Sequence, residues 1–180
     1  MNLMQTHMPA APANAAALDT IAYAIGQSVI GDILAARSQI GVCAILIGAE
    51  EQDLANLFPG KLLVKDEPRL RDDLAAIARF IETPAAGLDL PLDMRYGTPF
   101  QQRVWEVLRA IPCGDTITYT ALAQRLGRPN GARAVATACA ANAIALGIPC
   151  HRVVRADGTP SGYRWGMERK RALLDREAAI

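Results

Sequence analysis

Residues 41–48 read Gly-Val-Cys-Ala-Ile-Leu-Ile-Gly, and no other stretch of the 180-residue chain restricts the fold so sharply. A short apolar run, rich in β-branched side chains and closed at both ends by glycine, reads as a buried strand. A buried strand needs neighbours. Residues 21–30 and 32–36 supply two short strands around a turn at Gly31. Residues 53–57 form a short helix that stops before Pro59-Gly60. Leu70, Leu74, Ile77 and Ile81 recur at helical spacing, which predicts a second helix over residues 69–81. Residues 88–94 contain Pro91 and read either as a short strand or as an extended linker. The expectation is an α+β domain over residues 19–94. Residues 1–18 are Ala- and Pro-rich with no basic start, so they read as a flexible leader and not as an export signal.

The character changes near Arg95. Residues 1–94 carry 6 Lys+Arg against 12 Asp+Glu, a balance of −6; residues 95–180 carry 13 against 6, a balance of +7. The basic excess is almost all arginine, with Lys170 the only lysine beyond residue 94. Arginine suits bidentate contacts to phosphates and bases, although two unlike solvated surfaces would give the same asymmetry. Thr98 caps a helix with Pro99 at its first position, and Phe100, Val104, Val107 and Leu108 line its buried side. Ile111-Pro112-Cys113-Gly114 breaks it. Thr118 then caps a helix over residues 119–126 that ends at Gly127, and residues 132–141 form another after Arg128-Pro129-Asn130-Gly131. Two short helices joined by a tight Gly/Pro turn predict a helix-turn-helix in a mostly helical, winged-helix-like domain over residues 95–180. Its second helix carries Ala132, Ala134, Ala136, Ala138, Ala140 and Ala141, with Arg133 as its one charge. Such a slim helix either approaches a groove closely or packs tightly on a neighbour, and it reads bases poorly. A turn at Asp157-Gly158-Thr159, an aromatic Gly-rich loop over residues 161–166 and a closing helix over residues 168–178 complete the chain.

The chemistry concentrates in Ile148-Pro149-Cys150-His151-Arg152-Val153-Val154. Only two histidines exist, His7 in the leader and His151, so cysteine–histidine chemistry would fall to Cys150 and His151. A buried thiol without help is inert; a nucleophile needs a base, and the base needs an acid to orient it. Glu177 in the closing helix is the candidate acid. On a regular strand neighbouring side chains diverge, so either the backbone turns at Pro149-Cys150 or a water joins thiol and imidazole. Four cysteines at Cys43, Cys113, Cys139 and Cys150 lack zinc-knuckle spacing, and reduced thiols in the cytoplasm are expected. No apolar run approaches the roughly 20 residues of a membrane span, so no membrane partner is expected.

These motifs resemble the O6-alkylguanine-DNA alkyltransferases, also called methylated-DNA–protein-cysteine methyltransferases, and most closely the carboxy-terminal domain of Ada-type proteins. The resemblance is dense over residues 97–177: Gly-Thr-Pro-Phe-Gln-Gln-Arg-Val-Trp at 97–105, Ile-Pro-Cys-Gly at 111–114, Arg-Ala-Val-Ala at 133–136, Ala-Asn at 141–142, Pro-Cys-His-Arg-Val-Val at 149–154 and Ser-Gly-Tyr-Arg-Trp-Gly at 161–166. Residues 20–95 match more loosely. The resemblance implies a small antiparallel-sheet, RNase H-like first domain. It implies a monomer that binds duplex DNA through the helix-turn-helix from the minor-groove side and flips out an O6-alkylguanine, with O4-alkylthymine as a second candidate lesion. The alkyl group would pass irreversibly to Cys150, without metal or other cofactor. His151 and Glu177 match the pair that activates the thiol through a bridging water, and Asn142 the asparagine that braces the segment. Tyr119 matches the tyrosine that touches the target phosphate and helps protonate the leaving base. Arg133 matches the arginine that fills the stack, with Ala132, Ala134 and Arg128 on the same DNA-facing surface. Tyr163, Val153, Arg164 and Cys139 would line the pocket. Pro129-Asn130-Gly131 departs from the Lys and Ala common in relatives. The metal domain and transcription module of full Ada proteins have no counterpart in these residues, so no gene-activating role carries over.

Overall fold

The structure, a computed structural model, describes residues 20–179. The leader expected over residues 1–18, with His7, lies outside the described residues. The run at 41–48 becomes strand β3 (Val42–Ile47), buried at every position. It pairs antiparallel with β2 (Ile33–Arg37), which pairs antiparallel with β1 (Thr20–Gly26). The expected strand over 21–30 ends early. Ser28 closes a turn through Gly31, whose φ of +115° suits glycine, and Val29 is exposed.

The sheet is not purely antiparallel. A fourth strand, β4 (Leu62–Lys65), lies parallel to β1, giving the order β3-β2-β1-β4. The return to a parallel partner takes a crossover, here through β2, β3 and helix α1 (Glu51–Leu57). Helix α1 starts two residues before the expected 53, because Glu50 and Asp53 form a reciprocal capping pair. Helix α2 (Glu67–Glu82) is also longer than expected. Asp66 accepts from the Arg69 amide, and Pro68 fits the first turn. It lays Leu70, Ile77, Phe80 and Ile81 on the sheet, and Asp73 takes both its bonds from Arg37 Nη1, at 2.7 and 2.6 Å.

Residues 88–94 resolve the open choice between strand and linker. They are extended but make one parallel bridge, Val42 to Leu92, in which Val42 N donates to Pro91 O and Asp93 N to Val42 O, both at 2.8 Å. Buried Asp93 then takes Ser38 Oγ at 2.7 Å and the Arg95 guanidinium at 2.8 and 2.9 Å. Further along β3, Ile45 N donates to Ala143 O and Ala145 N to Ile45 O. One strand edge therefore carries both the linker and the segment that leads into Cys150.

Helix α3 (Pro99–Arg109) begins at Thr98 with a full capping box to Gln101. It buries Val104, Trp105 and Leu108; Phe100 and Val107 are only partly buried. Trp105 Nε1 donates to Ala138 O at 2.9 Å, which ties α3 to α5. Thr118 caps α4 (Tyr119–Arg125), and α5 (Ala132–Ala140) follows. The slim helix packs on its neighbours through one side and leaves the other open. Val135, Ala138 and Cys139 pack inward, while Arg133, Ala134 and Thr137 are exposed. Two-residue strands β5 (Ile117–Thr118) and β6 (Val153–Val154) pair in parallel, and α6 (Met167–Ala178) closes the fold. No helix among the described residues is long and apolar enough to cross a membrane.

Gly41 is where linker and β3 meet most tightly, since a Cβ there would run into the Pro91 carbonyl. Backbone cannot move aside as a flexible side chain can. Gly41→Ala is expected to cost about 1–3 kcal/mol, the scale of overpacking. The check is a drop in the urea unfolding midpoint with an unchanged slope.

Candidate active site

Helix α5 ends at Ala140, and the chain then folds back through Asn142. Asn142 is fully buried, so its amide must find partners within the protein. Its Oδ1 accepts from Ile144 N at 2.8 Å; its Nδ2 donates to Ile148 O at 2.9 Å and to Cys150 Sγ at 3.3 Å. One side chain thus sets the shape of the 142–150 turn and holds the sulfur. Within that turn Leu146 has φ of +68°, a left-handed conformation that costs a leucine energy. The pairing to Ile45 and the Asn142 bonds together sustain it.

At Cys150 the backbone turns. Residues Cys150–Arg152 form one turn of 3₁₀ helix, so the backbone does turn at Cys150. His151 is buried; its Nε2 stands 2.9 Å from Glu177 Oε1. Arg152 meets the same carboxylate through Nε at 2.9 Å and Nη2 at 2.8 Å, and its Nη1 donates to Ile111 O at 2.6 Å. His151 Nδ1 is buried with no protein hydrogen-bond partner.

The thiol opens onto a cavity of about 600 Å³ lined by Tyr119, Cys139, Arg155, Ser161, Tyr163 and Arg164, with Ala136, Ala140 and Gly162 as small wall positions. Tyr163 stacks edge-on against Trp165, and its hydroxyl is likewise buried without a protein partner. Lys170 reaches in from α6 with no exposed surface, donating to Val153 O at 2.6 Å and Ser161 O at 2.7 Å. It joins the strand after Cys150 to the cavity rim.

Burial decides the resting charges. It raises the Cys150 thiol, against the opposing pull of the Asn142 hydrogen bond, Lys170 and Arg164, so the sulfur rests protonated. Burial lowers the His151 imidazole and so favours its neutral form, although Glu177 pulls the other way. Burial would also raise Glu177, but hydrogen bonds from His151 and Arg152 outweigh it and bring the carboxyl down to about 2. The result is a neutral acid–base pair backed by a fixed anion. Burial raises the Tyr119 phenol as well, with a Ser161 hydrogen bond opposing the shift.

Of the residues singled out from sequence, the structure gathers Cys150, His151, Glu177, Asn142, Tyr119, Tyr163, Arg164 and Cys139 around this centre. Val153 does not line the cavity. Its side chain is buried in the core, because its strand pairs with Ile117 and turns that side inward. Arg133 and Ala134 are exposed on α5, with Ala132 partly so; Arg128 is exposed over the Phe100 ring at 5.1 Å. Sequence reasoning assigned no part to Arg152 or Lys170. Arg152 stood in the motif itself, but its long-range partners Glu177 and Ile111 had no local signature.

A family model described as "6-O-methylguanine DNA methyltransferase, DNA binding domain" matches residues 99–179. The chain is 46% identical over 162 residues to the Escherichia coli (strain K12) bifunctional transcriptional activator/DNA repair enzyme Ada, across 88% of this chain and 46% of that protein. It spans about half the length of the first curated relatives it matches. It is 35% identical to the inducible methylated-DNA–protein-cysteine methyltransferase of Bacillus subtilis (strain 168), across 74% of this chain and 78% of that one. The fold is similar to a crystal structure of Mycobacterium tuberculosis OGT in complex with DNA. There the TM-score is 0.75 and the identity 32%, over 89% of this chain and 93% of that one.

The Glu177 network makes a stability prediction with a definite pH sign. Glu177→Gln leaves Arg152 buried without a charge partner and is expected to lower the unfolding free energy at neutral pH by about 3 kcal/mol. The folded carboxyl is depressed from 4.5 to about 2, so the wild-type contribution is complete above 4.5 and is lost as pH falls through about 2. Urea unfolding of both proteins across that interval is expected to show the gap closing toward acid.

Proposed function

The chain belongs to the methylated-DNA–protein-cysteine methyltransferases, and from that premise we propose that it repairs O6-alkylguanine in duplex DNA by taking the alkyl group onto Cys150, once and irreversibly. The observation that carries this reading is the position of Cys150 Sγ. It faces a cavity of about 600 Å³, roomy enough to admit a nucleobase, is held by Asn142, and is flanked in sequence by an imidazole fixed on an ionised carboxylate.

An alkyl group on guanine O6 lies inside the stack, so the nucleotide must leave the duplex, at a cost of a few kcal/mol. Arg133, exposed on the slim α5 helix, enters the gap and offsets part of that cost. Ala132 and Ala134 beside it let the helix come close while offering no base-reading groups, which fits binding by shape over sequence. Arg128 adds positive charge to the same end of the domain.

In the pocket the neutral thiol gives its proton to His151 through a water at Nδ1, the imidazole atom left without a protein partner. Glu177 stabilises the imidazolium that forms. The thiolate attacks the saturated alkyl carbon, the carbon–oxygen bond breaks, and its electron pair leaves with the guanine. Tyr119 supplies a proton to the departing base. Tyr163 and Arg164 shape the walls. The product is a thioether, and no group at the site can cleave it, so each molecule acts once. The free thiols at Cys43, Cys113, Cys139 and Cys150 suit a reducing cytoplasm.

Intact-mass measurement after mixing with a duplex carrying one O6-methylguanine is expected to show a gain of one methyl group, mapped to the Cys150 peptide. Cys150→Ala is expected to bind the duplex and gain nothing. No gain by the wild-type protein overturns the proposal. Arg133→Ala is expected to slow transfer from duplex at least about tenfold, a barrier of about 1.4 kcal/mol, while transfer from the free alkylguanine base changes little. Equal slowing on both substrates removes Arg133 from the flipping step.

A further inference from the structure

Arg169 sits one residue before Lys170 on α6, but its side chain runs the other way, toward the amino-terminal sheet. Its Nε donates to Ile30 O at 3.1 Å and its Nη1 to Trp165 O at 2.9 Å. The guanidinium occupies a slot that exists because two turn residues are glycine. A Cβ on Gly48 would stand 2.5 Å from Nη2, and one on Gly31 3.3 Å from it. Both glycines have positive φ, +64° and +115°, so the turns bounding the β2–β3 hairpin leave room exactly where the cation lies. Cavities of about 240 and 410 Å³ flank the side chain, and both have Trp165 and Arg169 in their walls.

The carbonyl that Arg169 grips belongs to Trp165, the residue next to the active-site wall. Trp165 directly follows Ser161, Gly162, Tyr163 and Arg164, all of which line the cavity above Cys150, and its ring packs edge-on against Tyr163. Cys150 itself is held by a different bond, from Asn142, and the neighbouring His151 by Glu177. We propose that Arg169, seated in the Gly31–Gly48 slot, is a positioning residue through which the amino-terminal sheet fixes the 161–166 wall and so sets which alkyl groups the cavity accepts. The wall's bearing on alkyl size rests on the repair reading above; the anchoring itself does not. The sheet, remote from the thiol, thereby acts on the reaction by holding one wall of its pocket.

The test uses the full chain with Arg169→Ala and Arg169→Lys. Lysine keeps the charge but loses the planar fork that spans two carbonyls. Peptide-resolved hydrogen exchange is expected to quicken about tenfold over residues 161–166 in Arg169→Ala, with less effect in Arg169→Lys and no change over residues 150–154. Transfer rates from duplexes carrying O6-methylguanine and O6-butylguanine are expected to fall unequally, shifting their ratio about threefold or more, since a displaced wall acts on fit. The iodoacetamide titration of Cys150 is expected to stay at its wild-type midpoint. Unchanged exchange over 161–166 overturns the anchoring. Equal slowing on both lesions, with faster exchange also at 150–154, reduces Arg169 to a general brace and overturns the selectivity role. If Arg169→Ala does not fold, Gly48→Ala crowds the guanidinium from the opposite side and must give the same exchange signature. A wild-type protein that transfers no alkyl group defeats the repair reading, while the exchange comparison still decides whether Arg169 holds the wall.

Discussion

The Glu177 carboxylate is the point on which the carboxy-terminal domain closes. It takes three hydrogen bonds, one from His151 and two from Arg152, and Arg152 carries the linkage on to the Ile111 carbonyl at the end of α3. Burying a carboxylate and a guanidinium costs several kcal/mol for each ion, and only near-ideal geometry with saturated bonding offsets it. The arrangement meets that condition, since the fork of Arg152 fills both oxygens of the acid. Without it the 150–152 turn would lose its direct side-chain tie to the last turn of α6, leaving only the Lys170 bond to Val153 O. The same bonds fix which way the His151 ring faces.

A second set of constraints comes from the sheet. Strand β3 spends its free edge on two irregular segments, 91–93 and 143–145, where a fifth strand could have paired. The first ties down the linker and, through Asp93 and Ser38, satisfies a buried acid. The second ends the α5-to-Cys150 connection in a fixed register, against which the Asn142 side chain can work. A six-residue apolar strand in one domain is thus part of the scaffolding of a thiol in the other.

Much of this was legible in local chemistry. The glycine-bounded apolar run announced β3, Thr98 and Thr118 announced their helices by capping, and the Pro-Cys-His-Arg string announced the nucleophile. Strand β4 escaped notice because Leu62 and Val64 are exposed and it spans four residues, too few for a period to show. The strand expected to 30 ran past its end, since Ser28-Val29-Ile30 is as β-prone as the residues before it and only the turn to Gly31 stops it. Val153 was misplaced because extended segments show two faces and sequence alone does not say which meets a cavity. Nothing local in the sequence tells Lys170 from Arg169. Their opposite destinations, two carbonyls around the active site and a two-glycine slot, are set by chain segments far from them in sequence.

The depth at which Cys150 is held bears on how long the molecule keeps its capacity. A cysteine that is 6% exposed, with its thiol kept protonated by burial, is a slow target for peroxides and stray electrophiles, which react with accessible thiolates. For the single-transfer role proposed above, such dormancy matters: a sulfur that stays unreactive until a guest enters its cavity would let a stored pool age little before it is needed.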